Sequence, residues 1–243
     1  MFGEPSPTAW DLHFNLAGFH VRIHPLFWLV TLLLNLNSPP QVVAIWAVVV
    51  LFSLIVHEMG HALAFRWYGR HSHIVLYSFG GLTIPEGSFG RPQTPRSQIL
   101  ISLAGPAAGF LFAFALEMGL KLGGYHVWFD AGFFGWDFPG RPIENMRLQL
   151  VIYFLLEVNI FWGLFNLLPI FPLDGGQVIR EVLQMTNPRR GFEQALRLSV
   201  VAAVGMAALS YVRFHDFYLA LMFLYLAYTN FQLLQANGGR GGW

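Results

Sequence analysis

Long apolar runs, broken at intervals by turn signals, constrain this chain more than anything else in it. A helix needs about 20 apolar residues to cross the hydrocarbon core of a bilayer. Stretches near that length run over 19–36, 41–68, 97–122, 148–168, 192–212 and 217–234. The first is the weakest, because Arg22 and His24 interrupt its start, and it ends in the turn-forming "NLNSPP". The last two flank the short polar turn "RFHD". Charged residues make up 11% of the chain and hydrophobic ones 55%, against about 25% charged in soluble domains. The expectation is an all-α polytopic membrane protein with about six transmembrane helices, forming one domain over 1–243 in contact with the lipid bilayer.

Between the second and third runs lies "HIVLYSFGGLTIPEG", residues 73–87, rich in β-branched and aromatic residues and closed by Pro and Gly. It reads as a short membrane-associated β-hairpin bent at "FGG". The loop "GGYHVWFDAGFFGWDFPGRP", residues 123–142, reads as an interfacial aromatic belt. Cytoplasmic loops carry excess Lys and Arg. With the N-terminus inside, only Lys121, Arg141, Arg147 and Arg213 fall on the outer side, so both termini are expected in the cytoplasm of a plasma-membrane protein. The start, "MFGEPSPTAWDLHF", has no basic region followed by an apolar core and a cleavage site, so no removable signal peptide is expected. A net charge of +1 argues against nucleic acid as a partner, since a phosphate-binding surface needs clustered basic residues in excess.

The second run contains "LFSLIVHEMGHALAF", residues 51–65, with three titratable groups in a helix destined for lipid. Charge at the centre of a membrane helix costs about 2.5–3.5 kcal/mol on insertion scales, so these groups need partners or a purpose. On a helix His57 and His61 stand about 40° apart around the axis and one turn apart along it, so both imidazoles face the same way. They can grip one metal ion, with Glu58 placed to act as a general base beside it. The bland alternative, hydrogen-bonded core histidines and a snorkelling Glu58, leaves that cost unanswered. Glu117 and Glu157, also within apolar runs, read more readily as structural.

A catalytic zinc site takes three protein ligands and keeps one position open. With no cysteine in the chain, the third must be His, Asp or Glu. The fourth run ends in "NLLPIFPLDGGQVIR", residues 166–180. Pro169 and Pro172 cannot continue a helix, and Gly175 and Gly176 permit a sharp turn, so the backbone is expected to unwind around Asp174. Irregular backbone at membrane depth is tolerated where it lines a cavity. A plain cytoplasmic turn would equally explain the prolines and glycines and would leave Asp174 without a special role.

Together, HEMGH at 57–61 and "NLLPIFPLDGG" at 166–176 resemble the site-2 protease family of intramembrane zinc metallopeptidases. The resemblance extends to "RIHPLFWL" at 22–29, "FGGLTI" at 79–84 and "SLAGPAAGF" at 102–110. It implies that His57, His61 and Asp174 hold one zinc ion, that Glu58 activates water, and that Asn166 positions the substrate backbone or donates to the oxyanion. The implied substrate is a transmembrane protein whose helix unwinds before attack. The strand around Phe79, Gly80, Gly81, Leu82 and Thr83 would then hold the unwound segment by strand addition. Two departures stand out: Gly109 where relatives often carry Asn, and Gln177 where Arg is common. Relatives often carry a PDZ or CBS-pair domain, and none is expected within these 243 residues.

Other classes fit less well. A metal transporter should spread intramembrane polar residues through more spans than the two that carry them here. A non-catalytic binding relative usually lacks the Glu or a ligand. Serine and aspartyl intramembrane proteases need constellations that these spans do not offer.

Overall fold

The computed structural model describes residues 4–33, 35, 37–78, 80–87, 94–126 and 140–238. The elements, in chain order, are β1 (Leu12–Leu16), β2 (Phe19–Ile23), α1 (Pro25–Leu33), α2 (Pro40–Trp67), β3 (Ser72–Tyr77), β4 (Gly80–Pro85), α3 (Pro95–Leu122), β5 (Tyr125–His126), β6 (Arg141–Pro142), α4 (Met146–Asn166), α5 (Asp174–Thr186), α6 (Gly191–Phe214) and α7 (Phe217–Gly238). Among the described residues five helices, α2, α3, α4, α6 and α7, are long and apolar enough to cross a membrane. The contacts divide the chain into two compact units, Met1–Arg91 with Ala104–Leu164, and Pro92–Leu103 with Phe165–Trp243.

In the first unit, β1 to β4 form one sheet in chain order. β2 pairs parallel with β3, and the other neighbours are antiparallel. The start of the first apolar run is therefore a strand and a nine-residue helix, not a spanning helix. The reason lies in Arg22. A guanidinium has no partners in lipid, whereas in the sheet it is buried and donates to Asp11 at 2.7 Å, to Glu4 at 2.8 Å and to the Pro5 carbonyl at 2.8 Å. For Asp11, burial pushes the pKa up, but hydrogen bonds from Thr8 and Arg22 outweigh it and hold the carboxyl at about 2. The hairpin signal is the period-two alternation of Leu12, Phe14 and Leu16 with Phe19, Val21 and Ile23. Ala17 (φ 50°) and Gly18 (φ 83°) form its two-residue turn, the left-handed pair that matches strand twist.

Among the described residues α1, nine residues long, is not one of the five helices long and apolar enough to cross a membrane. β2 is bonded to β3, which follows the C-terminal end of α2, whereas Pro40 opens α2 at the other end.

α2 begins with proline at its first position, where the missing N–H costs nothing. It ends in a Schellman motif: Arg70 N donates to Phe65 O, Gly69 N donates to Arg66 O, and Gly69 takes φ 75°. Small residues let the helices approach closely. A Cβ on Gly60 would overlap the Ala104 carbonyl of α3, and one on Gly163 of α4 would lie 2.7 Å from the Phe110 ring. The sheet packs through Phe19, Val21, Ile23, Ile74 and Leu76 onto Phe27, Leu54 and Ala62.

In the second unit α6 and α7 pack antiparallel on Ala203, Ala207, Phe223 and Ala227, with Ile170 of the α4–α5 connection wholly buried among them.

Candidate metal centre

The sheet decides where α2 carries its polar groups. His57, Glu58 and His61 are 4%, 4% and 8% exposed, in the half of α2 nearest its C-terminal end. Their ligand-capable atoms all lie within 4.8 Å of one another. The two Nε2 atoms are 3.2 Å apart. Two imidazoles on a tetrahedral zinc with bonds of 2.0–2.1 Å stand about 3.3–3.4 Å apart, so the donor pair fits this ion with little movement. Opposite them, α3 presents Gly105, where a Cβ would overlap His61 Nε2 and come within 2.8 Å of His57 Nε2. A glycine is thus required for both ring nitrogens to occupy this space.

Glu58 meets β4. The Thr83 hydroxyl lies 2.7 Å from Glu58 Oε2 and 3.0 Å from the Glu58 carbonyl. A Cβ on Gly81 would overlap Glu58 Cγ and Oε1. Residues 81 and 83 share a face of the strand because side chains alternate. Gly80, Gly81, Leu82 and Thr83 all lie in β4, an edge strand of the sheet, while Phe79 lies outside the described residues. Most of the 123–142 loop does too.

One turn along from the histidines, Ser53 of α2 accepts a 2.9 Å hydrogen bond from Asn159 Nδ2 of α4. Gly109, one turn along α3 from Gly105, faces that amide, with its Cβ position 3.5 Å from Asn159 Oδ1. The space beside Gly109 is thus filled by an asparagine amide from α4.

In the second unit, Asn166 ends α4 and Asp174 opens α5, both buried. Between them residues 167–173 are irregular, as the prolines required. Bonds from other helices satisfy the freed backbone: Phe171 N donates to Ser199 Oγ of α6 at 3.0 Å, and Asn230 Nδ2 of α7 donates to Phe171 O at 2.5 Å. Gln177 Nε2 donates to Pro172 O at 3.2 Å. Gly175 and Gly176 are not turn residues. They lie inside α5, and a Cβ on either would overlap the backbone of Leu167 or Ile170. Ser199 and Asn230 were invisible to motif reading, since a lone Ser or Asn in an apolar run says nothing about its partner. Asn230→Ala is expected to lower stability by about 1–2 kcal/mol, the usual worth of a membrane hydrogen bond to backbone. Denaturant or thermal unfolding in detergent checks it, and unchanged stability would mean that Phe171 O finds another donor.

The profile of Peptidase family M50 matches residues 45–211, which include HEMGH and the Asp174 segment. The chain belongs to this family. Rip3 of Mycobacterium tuberculosis is 32% identical over 213 residues, 79% of this chain and 49% of Rip3. A zinc metalloprotease of Methanocaldococcus jannaschii is 27% identical over 175 residues, 70% of this chain and 44% of that protein. Stage IV sporulation protein FB of Bacillus subtilis is 27% identical over 182 residues, 74% of this chain and 52% of that protein. The chain thus spans about half the length of these M50 relatives. Its fold is similar to that of the site-2 protease from Methanocaldococcus jannaschii, with a TM-score of 0.57, 22% identity, and coverage of 93% of this chain and 95% of that one.

Proposed function

We propose that this M50 chain is an intramembrane zinc metalloprotease that hydrolyses peptide bonds in or near transmembrane segments of other membrane proteins, as in regulated intramembrane proteolysis. The observation that carries the reading is a buried carboxylate, Glu58, beside two imidazole nitrogens 3.2 Å apart on a helix long and apolar enough to span the bilayer.

Zinc, when bound, supplies a Lewis acid that polarises the scissile carbonyl and acidifies water. His57, His61 and Asp174 are the proposed ligands, and the buried position of Asp174 at the start of α5 is compatible with that role. Glu58 takes the proton from the attacking water and delivers it to the leaving amine, one carboxylate serving both transfers. Asn166 orients the substrate backbone or donates to the oxyanion. β4 takes the unwound substrate as an added strand, its backbone supplying affinity with weak sequence selectivity. The two compact units work as one protease domain, with both termini in the cytoplasm of a plasma-membrane protein, as the Lys and Arg distribution supports.

The test is cleavage of a panel of single-span membrane peptides by the purified protein in vesicles. Activity should vanish on chelation and return with zinc. Asp174→Ala should lower zinc affinity and cleavage, since even loss of a group supporting a ligand costs about 10–100-fold. Full zinc occupancy in Asp174→Ala would remove Asp174 from the ligand set, and chelator-insensitive cleavage would overturn the metalloprotease reading.

A further inference from the structure

We infer that Thr83 is a positioning residue for Glu58, and that β4 orients the general base on one face while offering its outer edge to substrate. The inference rests on the protease reading above and deepens it. A threonine hydroxyl has one proton, and two acceptors compete for it here. Glu58 Oε2 is the nearer, at 2.7 Å; the Glu58 carbonyl, at 3.0 Å, lies within a helix whose own ladder uses it. The proton therefore goes to Oε2.

That bond sets the rotation of the carboxylate. A Glu side chain's last torsion is broad and has no strong preference of its own, so an unaided Glu58 would sweep its two oxygens through the site. With Oε2 held by Thr83, Oε1 is left over Gly81, where only a hydrogen atom separates it from the strand. The two residues act together, Gly81 by leaving room and Thr83 by fixing direction. Oε1 becomes the oxygen that receives and returns the proton. Thr83 also pairs through its backbone with Ile74, which is wholly buried, so the hydroxyl is anchored to the core of the sheet and not to a mobile loop. A substrate segment added along the outer edge of β4 would hold the strand, and hence the base, in register with the bond to be cut.

The test is steady-state cleavage of one single-span peptide by wild type, Glu58→Gln, Thr83→Val, Thr83→Ala and Thr83→Ser, with zinc content measured on each. Valine keeps the shape and loses the donor; alanine loses both; serine keeps the donor. Val and Ala are expected to lower kcat about 10–100-fold, with KM within about twofold and zinc content unchanged, the pattern of an interaction needed only as the proton moves. Serine is expected to recover most of the loss. Wild-type kcat in Thr83→Val, or an equal loss in Thr83→Ser, would overturn the positioning role. So would a loss confined to KM, which would make Thr83 a substrate contact. A wild type that cleaves nothing, or a Glu58→Gln variant as active as wild type, would instead overturn the protease reading, so the two failures are told apart.

Discussion

Glu58→Gln is expected to yield a folded, zinc-loaded protein that binds a single-span substrate without cutting it. The substitution nearly preserves size and still accepts a hydrogen bond from Thr83, but it removes the basic carboxylate. Loss of a general base typically lowers rate by about 10² to 10⁴-fold, and in the proposed mechanism the same group serves two proton transfers. Zinc content by atomic absorption and substrate capture by co-purification should match wild type, while product formation should fall by that factor. The variant also separates an enzyme from a transporter. If wild type cleaves no peptide of a broad panel, and wild type and Glu58→Gln move zinc across vesicles equally well, the transporter reading takes the place of the protease.

Gly105→Ala should be the other large effect, on the metal itself. The added methyl would sit where His61 Nε2 lies and 2.8 Å from His57 Nε2, and the rings cannot retreat without losing their common focus. Helix propensity runs the opposite way: alanine is favoured over glycine inside a helix by about 1 kcal/mol. Sterics at the site must therefore outweigh a local gain, and zinc affinity is expected to fall by more than about 100-fold, beyond the usual cost of a supporting group. Gly119→Ala is the control. It lies on the same helix, and nothing stands within 4 Å of its Cβ position, so zinc binding should be unchanged and stability equal or slightly higher. Full zinc occupancy in Gly105→Ala would show that the metal is not held by these two ring nitrogens.

Much of this protein is local enough to be read along the chain. Twenty apolar residues in a row can only be stable in lipid as a helix, so α2, α3, α4, α6 and α7 follow from periodicity-free hydrophobicity and from the prolines and turns between them. The H-E-x-x-H spacing by itself places two imidazoles on one face, because helix geometry converts a four-residue interval into a direction. The irregular segment at 167–173 follows from Pro169 and Pro172, whose rings forbid the ladder.

What tertiary structure decided is the set of distances between residues far apart in sequence. Residues 12–23 form a hairpin because Arg22 finds Asp11 and Glu4 there and would find nothing in a bilayer. The glycines at 60, 81, 105, 175 and 176 are each small because another backbone or side chain passes where its Cβ would be, which neither a turn nor a motif in the sequence announces. Thr83 reads as one residue of a substrate-holding strand until the sheet brings it 2.7 Å from Glu58, and Ser199 and Asn230 read as stray polar residues until they meet the backbone of Phe171. Hydrophobicity and helix periodicity are properties of neighbours in the chain, whereas a close approach or a donor–acceptor pair is a property of neighbours in space. Only packing brings those together.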